Sequence, residues 1–98
     1  MADDLFLSMM GMMLDANNYE ERLVKNDEID DYTVDTCYTS YFGYETAIKK
    51  FDRNWIVVER YANKEESQEG HEKWCKWCFD NPDATSVYSV QFDDFEEF

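Results

Sequence analysis

The sequence predicts a single α+β domain in which one main helix packs on a small antiparallel sheet of about four to five strands. A length of 98 residues suits one domain. The chain has 44% hydrophobic and 17% aromatic residues, whereas disordered acidic chains are usually poor in aromatic residues. Residues 19–61 are rich in β-branched and aromatic residues, and a capped helical pattern follows at 64–79. We expect the domain to span 1–98, with an acidic N-terminal helix within 1–16 and an acidic C-terminal tail at 93–98.

The N-terminal stretch "LFLSMMGMM" predicts a short helix at about residues 3–14, because its apolar residues recur at helical spacing. Asp3 and Asp4 suit the positive end of that helix. The methionines indicate either adaptable core packing or a face that binds a partner. The apolar run is too short to cross a bilayer and no basic residue precedes it, so we expect neither a membrane span nor a signal peptide.

The middle of the chain predicts a meander of strands. "YEERLVKN" suits a polar edge strand, "DEIDD" a turn, and "YTVDTCYTSYF" a second strand. "YETAIKKF" and "WIVVERY" flank the short connection "DRN", which indicates a hairpin. Strict alternation along "WIVVERY" places Ile56, Val58 and Arg60 on the face that the helix covers.

The segment "NKEESQEGHEKWCKWCF" predicts the main helix. Asn63 and Glu66 form a capping-box pattern at its start. Gly70, Trp74 and Cys78 lie on its uncharged side and are expected to contact the sheet. A glycine inside a helix costs about 1 kcal/mol, so a close approach to the sheet is expected there. The proline of "DNPD" ends the helix, and "TSVYSVQF" predicts one more short strand.

The charge is concentrated at the two ends of the chain. Of the net charge of −14, residues 1–35 carry −8, residues 36–79 carry zero and residues 80–98 carry −6. Such a field attracts basic protein surfaces and repels nucleic acid and anionic membranes, so we expect no direct binding to either of the latter. Acidity that serves only solubility is the alternative.

The final stretch "FDDFEEF" mixes phenylalanines with carboxylates. This mixture suits neither a solvated tail nor a buried core element, and it indicates a basic partner surface with apolar pockets. The residues that we expect to bind the partner are Asp3, Asp4, Asp27, Glu28, Asp30, Asp31, Phe92, Asp93, Asp94, Phe95, Glu96, Glu97 and Phe98.

Three cysteines and one histidine are the candidate metal ligands. An odd cysteine count indicates reduced thiols in a cytosol. His71, Cys75 and Cys78 share a helical stripe, and Cys37 on a strand could complete a tetrahedral zinc shell. Ligand pairs usually come from turns, however, and buried free cysteines are common. The favoured interpretation is a packed helix face without metal or other cofactor.

No catalytic pattern stands out in the sequence. Cys75 near His71 would need an orienting group and an oxyanion hole to act as a nucleophile. The "CKWC" spacing lies near the end of the predicted helix, where the helix dipole raises a thiol pKa. A glycine-rich phosphate loop is absent from the sequence. We therefore expect a binding protein rather than an enzyme.

Several segments follow one another in an order that resembles a known group of proteins. "NNYEERLV", "VDTCYTS", "YETAI", "WIVVERY" and "EESQEGHEKW" resemble small proteins encoded in phages and prophages of Gram-positive bacteria. The resemblance covers roughly residues 17–77 and implies a phage origin and a strand–helix fold, without an activity. The residues that match the pattern are Tyr44, Glu45, Val58, Glu59, Tyr61, Gly70, His71 and Trp74.

Charge and resemblance together predict a phage protein that mimics DNA and inhibits a basic, nucleic-acid-binding defence protein in the host cytoplasm. A CRISPR effector nuclease is the most natural partner of this kind. One alternative is a phage structural or assembly protein that forms a homo-oligomer through its methionine-rich helix and tail. A second alternative is a small module stabilised by zinc.

Overall fold

The computed structural model describes residues 19–98 and has an α+β fold, as predicted. The expected helix at 3–14, with Asp3 and Asp4, lies outside the described residues. The elements, in chain order, are α1 (Tyr19–Arg22), β1 (Leu23–Ile29), β2 (Tyr32–Thr39), β3 (Gly43–Lys50), β4 (Ile56–Tyr61), α2 (Lys64–Asp80), β5 (Ser86–Ser89) and β6 (Asp94–Glu97).

The strands form two antiparallel sheets. The larger one has the order β1-β2-β3-β4, and the smaller one pairs β5 with β6. The backbone N–H of Val90 donates to the carbonyl of Val57 at 3.0 Å, which fastens the β5–β6 hairpin to the outer strand β4. The expected four to five strands are therefore four in one sheet and two in a separate hairpin.

The first two strands differ in their bounds from the prediction. Residues 19–22 form a helical turn rather than the start of a strand, with Glu20 and Glu21 at its positive end. The expected turn at 27–31 is reduced to two residues, because Ile29 still pairs with Tyr32. Asp30 takes a positive φ of 54° in that turn, a conformation that aspartate adopts more readily than most residues.

Strand β4 contains a bulge that alternation did not predict. Thr46 pairs with Glu59 and Ala47 pairs with Val57, so β4 holds one extra residue, Val58, between these partners. Side chains after a bulge exchange faces relative to a regular strand. The face assignment is therefore confirmed before the bulge and wrong after it.

The contacts of β4 show this exchange. Ile56 and Val58 pack toward α2, as predicted. Arg60 instead lies on the opposite face, where its Nε donates to Glu45 at 3.0 Å. Tyr61 turns toward α2, because its hydroxyl contacts Thr46 at 2.9 Å and its ring lies against the helix.

Both faces of the larger sheet are buried. The core between the sheet and α2 consists of Tyr32, Val34, Ile48, Ile56, Val58, Cys78 and Val87. The core on the opposite face consists of Cys37, Ala47, Trp55 and Val57, with Tyr19 and Val90 packed against it. Because β2 and β3 lie between the two cores, they are the most deeply buried strands of the domain.

Helix α2 begins and packs as the sequence indicates. The Asn63 side chain accepts the backbone N–H of Glu66 at 2.8 Å, and the Glu66 carboxylate reaches back to the N–H of Ala62 at 3.3 Å. Gly70 and Cys78 are buried against the sheet, whereas Trp74 is half-buried at the rim of the core. Within the described part of the chain, no helix has the length and apolarity that crossing a lipid bilayer requires.

Gly70 permits the expected close approach between helix and sheet. A Cβ atom at this position would lie 2.2 Å from Cε1 of Tyr61, closer than atoms can approach. The absence of a side chain therefore lets the Tyr61 ring lie directly on the helix backbone. Replacement by any larger residue must displace this ring.

We expect Gly70→Ala to lower the free energy of unfolding by about 1–3 kcal/mol, because overpacking outweighs the better helix propensity of alanine. Urea melts followed by circular dichroism measure the change. Glu69→Ala, at the exposed neighbouring position, is the control and should change stability by less than about 0.5 kcal/mol. A Gly70→Ala protein more stable than the parent would contradict the packing of Tyr61 on the helix.

Candidate functional site

The predicted acidic tail is an ordered strand. Residues 94–97 form β6, which pairs with β5 in an antiparallel hairpin, and Asp93 takes a positive φ of 53° in the turn. Tyr88 pairs with Phe95 on one face of the hairpin, and Val87 pairs with Glu96 on the other. Val87 belongs to the domain core, so the face that carries Tyr88 and Phe95 points outward.

This outer face is aromatic and open to solvent. The exposed fractions are 67% for Phe95, 57% for Phe92 and 39% for Tyr88. The Tyr88 and Phe95 rings meet edge to face with centroids 5.5 Å apart, and the Tyr88 hydroxyl donates to the Asp93 carboxylate. Adjacent exposed rings in a small domain often mark an interaction surface. We call Tyr88, Phe92 and Phe95 the hairpin rings.

Carboxylates surround the hairpin rings. Asp93, Asp94 and Glu97 are exposed, and Glu96 is half-buried with its Oε2 atom lacking a hydrogen-bond partner. Within residues 19–98, none of these four acids forms a salt bridge. The negative charge of Asp93, Asp94 and Glu97 is therefore available to a basic partner, whereas Glu96 lies opposite Val87 on the inner face of the hairpin.

Tyr88 was not among the residues expected from the sequence. It lies four residues before Phe92 in a short strand, and the sequence gives no sign that it pairs with Phe95. Only the register of the hairpin brings the two rings together. Alternation within "SVYS" was the available signal, since a buried Val87 requires an exposed neighbour.

Phe98 has a different role from the one expected. It is half-buried, its ring centroid lies 5.4 Å from that of Tyr32 and 6.4 Å from that of Trp77, and its backbone N–H donates to Thr85. These contacts make Phe98 part of the packing beneath the hairpin. Its ring therefore does not belong to the exposed surface.

The expected binding acids of β1 and the turn after it also differ in exposure. Glu28, Asp30 and Asp31 are exposed. Asp27 instead points to α2, where its Oδ2 atom lies 2.8 Å from Nε2 of the buried His71. Three of these four expected binding residues are thus open to a partner, and Asp27 is engaged within the domain.

A chain of polar side chains crosses the interface between α2 and the sheet, and we call it the polar seam. Nδ1 of His71 lies 2.7 Å from the Thr36 hydroxyl, which lies 2.5 Å from the Thr46 hydroxyl. Thr46 in turn contacts the Tyr61 hydroxyl at 2.9 Å. Burial raises the pKa of Tyr61, and the nearby Glu59 carboxylate acts in the same direction. Each polar group buried in the seam therefore has a partner, which burial requires.

Several residues of the segments singled out in the sequence meet at the seam. Tyr61 and His71 belong to it, Gly70 admits the Tyr61 ring, and the indole N–H of Trp74 donates to Glu59 at 2.8 Å. Helix–sheet packing and polar pairing thus account for these positions. An Asp–His–Thr series resembles a catalytic triad, but Thr36 is fully buried and has no surface on which to act.

The three cysteines do not share one site. Cys37 lies in the core on the far face of the sheet, whereas Cys78 lies in the core beneath α2. Cys75 is half-buried at the edge of the helix, with its Sγ atom 4.0 Å from Oδ2 of Asp27. This geometry rules out a tetrahedral site built from Cys37, His71, Cys75 and Cys78, because the sheet separates Cys37 from the other three side chains.

Burial keeps these thiols protonated at neutral pH. It raises the pKa of Cys75 to about 11, with the Asp27 and Glu72 carboxylates acting in the same direction. It raises the pKa of Cys78 to about 12 and that of Cys37 further above its usual value. A reactive cysteine needs a lowered pKa, so none of the three has the properties of an activated nucleophile.

The described structure thus presents two distinct features, an exposed hairpin of rings and acids and a polar seam that ends beside Cys75. No protein-family model, curated protein or solved structure matches the chain, so its own geometry is the basis for assigning a function.

Proposed function

We propose that this chain is an acidic binding protein of phage origin that inhibits a basic, nucleic-acid-binding protein in the cytoplasm of a bacterial host. The observation that carries the proposal is the outer face of the β5–β6 hairpin. The exposed rings of Tyr88 and Phe95 lie there, and the exposed acids of the hairpin form no salt bridge within residues 19–98. A CRISPR effector nuclease is the partner class that best fits a phage product with this surface.

The inhibition is charge mimicry. Duplex DNA carries one negative charge per about 1.7 Å of its axis, and proteins that bind it present lysine and arginine grooves. A chain of net charge −14 offers such a groove a competing anionic surface. The charges accelerate association, while aromatic anchors that lose water in the complex slow dissociation. The rings and the acids of the hairpin therefore serve separate steps of binding.

The residues that we assign to this role differ from those expected from the sequence. Tyr88 joins Phe92 and Phe95 as an aromatic anchor, and Phe98 leaves the set because it packs inside the domain. Asp27 also leaves the set because it pairs with His71. Glu96 leaves the set as well, because it lies opposite Val87 on the inner face of the hairpin. The acids that remain exposed are Glu28, Asp30, Asp31, Asp93, Asp94 and Glu97.

Two variants separate the contributions of charge and rings. The charge variant combines Asp93→Asn, Asp94→Asn and Glu97→Gln, and we expect it to slow association with a purified guide-loaded CRISPR nuclease and to flatten its salt dependence. The ring variant Phe95→Ala should instead raise the dissociation rate. Surface plasmon resonance at low and high salt measures both rates, and a DNA-cleavage assay reports inhibition.

Matched controls exist on other surfaces of the domain. Glu20→Gln, Glu65→Gln and Glu69→Gln remove three exposed charges outside the hairpin. Phe79→Ala removes a ring that is 61% exposed on α2. These controls should leave the rates closer to those of the parent than the hairpin variants do. If the two sets of variants behave alike, the hairpin is not the contact surface.

A phage assembly protein is the second candidate function. Exposed rings also lie outside the hairpin, at Tyr41 and Phe79, which are 67% and 61% exposed. Such rings can form contacts between copies. Light scattering distinguishes the candidates, since a mass of several chains that falls to one chain in Phe79→Ala would favour assembly over inhibition.

A further inference from the structure

We propose that Asp27, His71 and Cys75 form a binding site for a transition-metal ion of the zinc type. The three side chains meet at the edge of the domain where β1 lies beside α2. One ligand atom from each lies within 4.8 Å of the other two. Oδ2 of Asp27 is 2.8 Å from Nε2 of His71 and 4.0 Å from Sγ of Cys75. This inference is independent of the proposed partner surface on the hairpin.

The donor set selects the class of metal. It offers one imidazole nitrogen, one sulfur and one carboxylate oxygen, a mixture that suits Zn²⁺ or Co²⁺ and does not suit Mg²⁺ or Ca²⁺. Tetrahedral zinc would place nitrogen and oxygen about 3.3 Å apart and sulfur about 3.6 Å from each. The Asp27 carboxylate and the Cys75 thiol therefore need shifts of roughly 0.5 Å to reach that geometry, with a larger adjustment between Cys75 and His71.

The site is open on one side. The Asp27 side chain is 37% exposed and Cys75 is half-buried, whereas His71 is fully buried. Water can therefore complete the shell of an ion held by three protein ligands, as in many zinc centres. The Cys75 thiol loses its proton to solvent when it binds the ion.

The polar seam holds His71 in the orientation that a metal ligand requires. Metal-binding histidines generally donate their second ring N–H to a fixed acceptor, which sets the direction of the ring. Nδ1 of His71 lies 2.7 Å from the Thr36 hydroxyl, and Thr46 fixes Thr36 in turn. The remaining nitrogen, Nε2, points toward Asp27 at the domain edge.

The side chains of the polar seam can donate their hydrogen bonds in either of two directions. In the first, Tyr61 donates to Thr46, Thr46 to Thr36 and Thr36 to Nδ1 of His71, while Nε2–H donates to Asp27. This arrangement leaves Nε2 protonated, so it cannot bind a metal ion.

In the second direction, the donor and acceptor roles along the seam are reversed. Nδ1–H of His71 then donates to Thr36, and the chain ends at the Tyr61 hydroxyl, which accepts from Thr46 and can donate to the nearby Glu59 carboxylate. Nε2 keeps a lone pair for the metal, and no buried hydroxyl loses its partner. Because a carboxylate lies at each end of the seam, metal binding to His71 does not leave a buried polar group unpaired.

Lys25 is the natural competitor for this site. Its Nζ atom lies 3.7 Å from Oδ2 of Asp27 and 2.7 Å from Oε1 of Glu72. A divalent ion at Asp27 would meet the repulsion of this ammonium group. We therefore expect Lys25→Ala to tighten metal binding, an effect that purely structural pairing of Asp27 with His71 would not produce.

Titration of the full chain with Co²⁺ under reducing conditions tests the proposal. We expect one equivalent of Co²⁺ to produce a thiolate-to-cobalt absorption band in the near ultraviolet together with visible bands of tetrahedral cobalt, and Zn²⁺ to abolish both. Cys75→Ser should remove the thiolate band. Asp27→Asn should weaken Co²⁺ binding at least tenfold, and both side chains are exposed enough for the variants to fold.

Variants at the other cysteines provide the matched control. Cys37→Ala, on the far face of the sheet, should leave the cobalt spectrum unchanged. Circular dichroism confirms that each variant is folded. The proposal is overturned if excess Co²⁺ produces no thiolate band, if the band survives in Cys75→Ser, or if it disappears in Cys37→Ala.

Discussion

Tyr32→Ala is expected to lower the free energy of unfolding by about 3–5 kcal/mol, as the loss of a large buried ring does. Tyr32 is 1% exposed, and its ring meets the rings of Trp77 and Phe98 with centroids 6.0 Å and 5.4 Å away. Nζ of Lys50 lies 5.0 Å from its centroid. The residue thus joins β2, α2 and the end of the β5–β6 hairpin, and its removal leaves a cavity that all three border.

Tyr32→Phe separates the ring from the hydroxyl. The Tyr32 hydroxyl donates to the backbone carbonyl of Asn81 at 2.6 Å, just after the end of α2. We expect loss of this hydrogen bond alone to cost about 1 kcal/mol. Urea melts of both variants measure the two values. A cost below about 1 kcal/mol for Tyr32→Ala would show that Tyr32 does not anchor the helix.

Arg60→Ala is expected to cost about 3 kcal/mol at pH 8 and much less at pH 5, because it leaves a buried carboxylate without its cation. The Glu45 side chain is fully buried, and one of its oxygens accepts from Nε of Arg60 at 3.0 Å. Its other oxygen has no hydrogen-bond partner. Burial raises the pKa of Glu45 to about 7, although Arg60 acts in the opposite direction.

The sign of this pH dependence follows from the raised pKa. The pKa of Glu45 is near its ordinary value of 4.5 in the unfolded chain, and burial raises it to about 7 in the folded one. Between these values the folded state binds more protons, so this group favours folding fully below about pH 4.5 and loses that contribution as the pH rises through 7. Glu45→Gln should therefore remove the loss of stability that ionisation of Glu45 causes as the pH rises.

Urea melts of the parent and three variants at pH 5, 6, 7 and 8 test the account. The double variant Arg60→Ala, Glu45→Gln should recover most of the stability that Arg60→Ala loses at pH 8, since the unpaired charge is then absent. Equal costs for Arg60→Ala at pH 5 and pH 8 would instead assign its effect to the contact between its guanidinium and the Phe42 ring, whose centroid lies 4.0 Å away.

The parts of the fold that the sequence predicted are those governed by local rules. The main helix was expected at 64–79 and spans Lys64–Asp80, because its cap and the proline after it depend on neighbouring residues. The close approach at Gly70 followed from the cost of glycine in a helix. The bulge at Val58 was missed, because it depends on the pairing of two strands and cannot be recognised from the alternation of residue types along the sequence.

In the candidate sites, too, features set by neighbouring residues were predictable and features set by strand pairing were not. Phe92 and Phe95, which were expected to bind a partner, are exposed, whereas Phe98 is half-buried. Tyr88 was not singled out, because only the hairpin register brings it beside Phe95. His71 and Cys75 lie one helical turn apart, so their proximity was visible in the sequence. Their third neighbour, Asp27, lies 44 residues before His71 and could be found only from the packing of β1 beside α2.

The attachment of the β5–β6 hairpin has a consequence for hydrogen exchange. The hairpin is a separate sheet, and it is held to the larger one by the Val90–Val57 hydrogen bond and by packing of Val87 and Phe98. Its amides can exchange through a local opening that leaves β2 and β3 folded. A partner that binds the hairpin rings would close this opening, so protection of residues 86–97 alone would reveal the contact before any complex structure is known.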